Sequence, residues 1–309
     1  MTAATPAPGA TPVRCRACGA CGGRTAFLRR GFRFEDCAQC GVRFVAEPRP
    51  SVVDYDASYF STGGKDGYAA YLADRELLRE NFARRVRWLR GFAPSGRLLD
   101  VGAAYGLFVA AARDAGFDAV GLEPAADCAE VARREFGVQV ETGRIETFEF
   151  AEKSFDVVTM LDVIEHLEDP CAVVERAARL LRPGGLLVVE TGDRDALCAR
   201  VCGSRWYFYD PPQHLTFFGR ASLSRMLAGA GFSAPLGFGT LGRRVSVQNF
   251  AFQLGRALGD GPLGATSRRV AASAAGNWSF AVPDRGNAFI GAYRYGAGSA
   301  TSSPSVAAA

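Results

Sequence analysis

Residues 98–124, LLDVGAAYGLFVAAARDAGFDAVGLEP, decide the fold. A short apolar run reads as a buried strand and ends at Asp100. A turn follows at Gly102–Gly106, then an apolar helical segment to Ala115. A second strand, Ala119–Leu122, closes on Glu123. The pattern is strand, glycine turn, helix, strand, with a carboxylate at the C-terminal end of each strand. Open parallel sheets bind their ligands at that edge.

The acids and glycines select among ligands. An ionised carboxylate such as Glu123 offers acceptors only, so it can take both hydroxyls of a ribose. Gly102 and Gly106 permit close backbone approach and angles that a side chain would forbid. A dinucleotide site would read G-x-G-x-x-G, placing a pyrophosphate on the helix N-terminus. Here the second and third glycine positions are Ala104 and Leu107. A nucleoside without phosphates fits where a pyrophosphate does not.

These residues resemble motif I and the following acidic strand end of the class I S-adenosylmethionine (SAM)-dependent methyltransferases, whose pattern is D-x-G-x-G-x-G with an acid further on. The resemblance implies a doubly wound, seven-stranded Rossmann-like α/β sheet that uses SAM. It places Asp100 near the methionine amine, Gly102, Ala103 and Gly106 against the methionine part, and Glu123 on the ribose. Leu161 and Asp162, at the end of a later strand, lie beside the cofactor in the same reading. Ala104 departs from the pattern by one methyl group.

Five of the nine cysteines fall in residues 15–40. Cys37 and Cys40 form one C-x-x-C; the other pair is Cys15 with Cys18 or Cys18 with Cys21. Both choices give the spacing of a four-cysteine zinc site, in which two tight turns aim four soft thiolates at one ion. The expected ligands are Cys18, Cys21, Cys37 and Cys40, because Gly22-Gly23 follows Cys21 as a knuckle turn would, with Cys15 as the spare. Such a closed Zn2+ site folds a small ribbon and does not catalyse; the ion contributes ~10 kcal/mol or more.

The chain of 309 residues accommodates one large domain and a small one. The expected division is a disordered leader (1–13), a zinc ribbon (14–48), an aromatic linker and helix (49–93), the methyltransferase domain (94–296) and a disordered tail (297–309). Hydrophobic residues make up 48%, enough for a sizeable core, and the net charge of +4 is modest. Lysine occurs only at 65 and 153, and the arginines are spread along the chain, so nucleic acid is not the expected partner. No run approaches the ~18 apolar residues of a membrane span. The start lacks a charged segment followed by an apolar block, so a cytoplasmic protein without a secretory signal is expected.

Further elements follow from periodicity and punctuation. A charged helix is expected over 74–92, a helix over 126–136, and strands at 138–140, 155–161 and 186–189. Asp169-Pro170 starts a helix that Arg182-Pro183-Gly184-Gly185 stops. Late elements are a helix over 222–230 and strands near 236–241 and 288–293; residues 243–277 are of mixed helical and loop character.

Both histidines, His166 and His214, lie in segments that reach the carboxyl edge of such a sheet. Each is a candidate general base for an acceptor that must lose a proton. In LDVIEHLEDP, Asp162, Glu165 and His166 have the spacing to share one helical face. That run resembles the segment of ubiquinone-biosynthesis O-methyltransferases in which acid–x–x–Glu–His can bind a divalent cation; here the first acid is the shorter Asp162. Trp206–Tyr209 and the P-P-x-H-L-x-x-F run resemble methyltransferases with an N-terminal zinc ribbon that act in natural-product or cell-surface glycan pathways. A small-molecule or glycan acceptor is therefore expected. An RNA methyltransferase gripping RNA through Arg29, Arg30, Arg33 and Arg43, and a non-catalytic SAM-binding scaffold, are the alternatives.

Overall fold

The computed structural model describes residues 13–47, 74–258, 261–271, 278–282 and 287–296. The expected leader, the tail and most of the aromatic linker lie outside the described residues. Three front strands, β1 (Gly23–Arg29), β2 (Phe32–Cys37) and β3 (Arg43–Glu47), pair antiparallel. After helix α1 (Arg75–Leu89) comes β4 (Gly96–Val101), then α2 (Leu107–Asp114), β5 (Phe117–Glu123), α3 (Ala126–Phe136) and β6 (Val140–Thr142). The chain continues through β7 (Phe155–Leu161), α4 (Pro170–Leu180), β8 (Leu181–Gly192), α5 (Leu197–Cys202), β9 (Thr216–Phe217) and α6 (Arg220–Gly229). Last come β10 (Gly237–Gly239), β11 (Arg243–Ser246), α7 (Val247–Leu258), α8 (Pro262–Ala271), β12 (Ser279–Val282) and β13 (Ala288–Arg294).

The main sheet has seven strands in the order β10-β13-β8-β7-β4-β5-β6. Strands β6, β5, β4, β7 and β8 run parallel, and β13 and β10 are antiparallel additions at one edge. The parallel strands are buried on both faces, which explains their unbroken apolar runs: Leu98, Leu99, Val157, Val158, Leu187 and Val189 are all essentially inaccessible. Winding reverses beside β4, which has β5 on one side and β7 on the other. Open parallel sheets bind their ligands at such a reversal, which here is the end of β4 that carries Asp100.

Two expected boundaries move. The third parallel strand is Val140–Thr142 rather than 138–140, because Gly121 to Glu123 of β5 pair with Val140 to Thr142, while Val138 packs against α3. The helix before β8 ends at Leu180, but Pro183-Gly184-Gly185 does not interrupt the next element. The strand begins at Leu181 with an exposed, irregular start, and Gly184 takes a φ of 82°.

The front strands do not stand apart from this sheet. β9, from the segment after β8, adds to β3 and makes a four-stranded sheet. Phe34 and Val45 of the front strands share one apolar cluster with Trp206, Tyr209 and Phe217. The aromatics 206–209 thus fill the junction with the front sheet. Helix α1 holds the antiparallel β11–β12 pair through Asn81, which donates to the Arg244 carbonyl at 2.9 Å and accepts its N–H at 2.8 Å.

Candidate functional site

The glycine turn is built as its sequence requires. Gly102 has φ 75°, and a Cβ there would lie 2.5 Å from Val163. Gly106 has φ 74°, and its Cβ would press on Val138 and Ala132. Between them Ala104 also adopts a left-handed backbone, φ 45°, where glycine would be unstrained. The Gly102 and Ala103 N–H groups donate to the Leu122 carbonyl, tying the turn to β5.

Asp100 and Glu123 project from neighbouring strand ends and are both almost wholly buried. The Asp100 carboxyl is pushed up to about 7, chiefly by burial, with a 2.6 Å hydrogen bond donated by Thr159 opposing the rise and the nearby Glu123 adding to it. Glu123 is also raised by burial, against backbone bonds from Ala125 at 3.0 Å and Ala104 at 2.9 Å. Those two bonds engage half of the four lone-pair sites of the carboxylate, so hydroxyl acceptance stays open. Two buried acids side by side are costly until a cation or hydrogen-bond donors arrive. A sulfonium nucleoside carrying an amine and a ribose supplies both, so these residues fit the group. Leu161 and Asp162 end the adjacent β7, with Asp162 at φ 55°.

A second group of polar side chains lies just past the end of β7. Glu165 and His166 occupy a single 3₁₀ turn, Ile164–His166, just past β7. Asp162 is not among the converging ligand atoms, although its charge, after burial, helps to raise the Glu165 carboxyl. The residue that joins them is His214: ligand atoms of Glu165, His166 and His214 all lie within 4.8 Å of one another. The expected Asp162–Glu165–His166 face is thereby corrected. Burial, then the neighbouring His214, pull the His166 pKa down to about 3, which leaves a neutral, weakly basic imidazole. Nearby, Arg85 of α1 makes a bidentate pair with Glu190 at 2.6 and 2.5 Å, both groups buried.

The cysteine cluster also differs from expectation. Cys15, Cys18, Cys37 and Cys40 converge, with Sγ separations of 3.6 Å (Cys15–Cys40) and 3.5 Å (Cys18–Cys37). Cys21 is exposed and its backbone bridges Arg14, so it sits on the return strand of the first knuckle rather than at its tip. The two knuckles match: Gly19 N–H donates to the Cys15 carbonyl at 2.8 Å and Gly41 N–H to the Cys37 carbonyl at 3.0 Å. Both C-x-x-C-G choices were present in the sequence, and only the pairing of Arg14 with Cys21 separates them. The hydrogen bond with Cys15 draws the Cys40 thiol down to about 5, and the same bond pushes Cys15 up. Four soft thiols at this spacing fit a tetrahedral ion.

The front arginines are committed to internal partners. Arg29 donates to the Ser204 and Trp206 carbonyls, and Arg30 pairs with Asp210 at 2.6 Å. Arg33 pairs with Glu35 and Glu47, while Arg43 holds Asp36 and the Tyr209 hydroxyl. Among the described residues no helix is long and apolar enough to cross a membrane.

A doubly wound sheet with a glycine turn and paired acids at its switch point defines a nucleoside-binding α/β protein. The chain belongs to the methyltransferase-domain family, whose model matches residues 68–234, just over half of the 309, and its sheet is that of the class I SAM-dependent methyltransferase fold. It is 34% identical over 120 residues to a ubiquinone biosynthesis O-methyltransferase of Bordetella avium, covering 36% of this chain and 50% of that protein. A protein of the same description from Thiobacillus denitrificans is 31% identical over 161 residues, covering 48% and 69%. The chain thus spans about half the length of several curated relatives it matches. Among solved structures, a Thermotoga maritima SAM-dependent methyltransferase, described as a possible histamine N-methyltransferase, superposes with a TM-score of 0.50. It has 20% identity and covers 77% of this chain and 98% of its own. The Bacillus subtilis YcgJ protein gives 0.51 at 15% identity, covering 70% and 98%. At such identities these two speak for the fold alone.

Proposed function

We propose that this chain methylates an oxygen of a small-molecule acceptor, and that zinc held by Cys15, Cys18, Cys37 and Cys40 folds its front sheet. The observation that carries the reading is the pair of buried acids, Asp100 and Glu123, flanking the glycine turn at the switch point. When bound, SAM supplies an activated sulfonium methyl group for in-line displacement by the acceptor. Asp100 holds the positive amine, Glu123 the ribose hydroxyls, and the turn at Gly102–Gly106 fixes the nucleoside against β4. Leu161 and Asp162 border the methionine side. Alignment of this kind is worth roughly 7–11 kcal/mol.

Glu165, His166 and His214 handle the acceptor hydroxyl and its proton at the neighbouring strand ends. The relatives described as O-methyltransferases support oxygen as the acceptor atom and a small molecule as its carrier. The internal pairing of Arg29, Arg30, Arg33 and Arg43 favours a small-molecule acceptor over RNA. The test is tritiated methyl transfer from SAM into a fractionated lysate of the source cells. Label in the small-molecule fraction, abolished by Glu123→Arg, supports the reading; label in RNA overturns it.

A further inference from the structure

Helix α5 carries two cysteines one turn apart, Cys198 and Cys202, and their sulfurs stand 3.9 Å from each other. Residues four apart share one helix face, so the helix itself brings the two thiols together. Its inner face is anchored. Ala199, and Ala196 just before the helix, are buried in the cluster that holds Trp206, Phe208 and Tyr209, and Cys198 packs against that cluster. Its outer face is open: Leu197 and Val201 are 73% and 77% exposed, and Cys202 is exposed with them. Burial, then the hydrogen bond shared with Cys202, push the Cys198 thiol up. Cys198 therefore lacks the lowered pKa of a nucleophilic cysteine.

Distances decide what such a dithiol can do. A disulfide needs sulfurs about 2.05 Å apart and Cβ atoms about 3.5–4.5 Å apart, whereas helical positions i and i+4 hold their Cβ atoms about 5–6 Å apart. Joining the two sulfurs directly would unwind the last turn of α5. A tetrahedral centre with bonds to sulfur of about 2.3 Å holds two sulfurs about 3.8 Å apart, which the pair matches as it stands. We propose that Cys198 and Cys202 form a dithiol site that chelates one thiophilic centre, either a soft d10 metal ion or a trivalent arsenical. Thiolates select such soft centres over harder cations. Among the described residues no third cysteine, histidine or acid converges on the pair, which separates this site from the four-cysteine cluster. With both donors on one helix the second bond is intramolecular, so capture should far exceed that of a single thiol. With an aryl arsenic(III) oxide, two arsenic–sulfur bonds form, the arsenic–oxygen bond breaks, and the oxygen leaves as water with both thiol protons. Arsenic stays trivalent and no oxidant is consumed. The site stands independently of the methyl-transfer reading.

Arg200 lies between the two cysteines, so trypsin divides the segment into 195–200 and 201–205, each with one of them. The zinc-loaded full chain is treated with one equivalent of phenylarsine oxide, digested, and read by mass spectrometry. The two peptides should stay joined through one arsenic, resist a large excess of a monothiol, and separate with dithiothreitol. Cys198→Ser and Cys202→Ser should each abolish the bridge with zinc content unchanged. A second arm offers cadmium(II): a gain in thiolate-to-metal absorption that both variants lose assigns the site to metal ions as well, and no gain confines it to arsenicals. Arsenic found on residues 15–40 with loss of zinc, or on one cysteine of the pair alone, overturns the proposal. So does a Cys198–Cys202 disulfide in protein kept in air, which contradicts the distance argument. The wild-type digest decides by itself should a variant misfold.

Discussion

The acid at the end of β4 should couple SAM binding to pH. Asp100 has its pKa moved from 3.8 to about 7, chiefly by burial, so near neutrality the free protein holds a proton there that the unfolded chain does not. At about 1.36 kcal/mol per unit of pKa, that displacement is worth about 4 kcal/mol. The sign follows from proton counting. Between pH 3.8 and about 7 the folded state binds more protons than the unfolded state, so stability of the free protein falls as pH rises through that window. A bound amine reverses the preference, because it favours the ionised carboxylate. Affinity for SAM should then rise by about a decade per pH unit between pH 5 and 7 and level off above. Titration calorimetry in two buffers of different ionisation enthalpy would register release of about one proton per SAM near pH 6. Asp100→Asn should bind more weakly and flatten the slope. A wild-type affinity that does not change from pH 5 to 7 would refute the coupling and, with it, the placement of the amine.

Three other outcomes follow from contacts described above. Cys15→Ser should lose bound zinc and the front sheet's stability, up to ~10 kcal/mol, whereas Cys21→Ser should keep full zinc content; the reverse pattern would restore the original ligand assignment. Arg85→Met leaves Glu190 buried without its partner and should cost about 3–5 kcal/mol in chemical denaturation. Because burial already raises the Glu190 pKa, that loss should shrink as pH falls and Glu190 takes up a proton, and the double variant Arg85→Met/Glu190→Leu should recover most of it. Ala104→Gly relieves a left-handed alanine worth about 1–2 kcal/mol, less about 0.4–1 for the freer unfolded chain. A melting temperature equal to or above wild type is expected, and a loss beyond about 1 kcal/mol contradicts the strain assignment.

The parallel half of the sheet was readable because strands buried on both faces leave short, densely apolar runs, as in Leu98-Leu99, Val157-Val158 and Leu186–Val189. The turn and its two acids were readable because positive φ and hydroxyl recognition each demand a residue type. What the sequence hid depends on contacts between distant segments. Cys15 and Cys21 have equal spacing claims, and only the bridge between Arg14 and Cys21 decides. Asp162 and Glu165 look like neighbours on a helix, but φ 55° at Asp162 and a 3₁₀ turn break that periodicity. His214 reaches His166 because the Leu215 N–H donates to the Glu165 carbonyl and the His214 ring packs on Phe208, contacts that no local pattern announces. The dense aromatics at 206–209 give no local sign of their partner, and Trp206 and Tyr209 share one buried cluster with Phe34 and Phe217 of distant strands.

The most direct measurement is calorimetric titration of the purified chain with SAM, beside Glu123→Arg. One molecule bound per wild-type chain, with binding lost on charge reversal, is the expected result. Absence of binding to the wild type, or equal affinity in the two proteins, would contradict the assignment of this crevice.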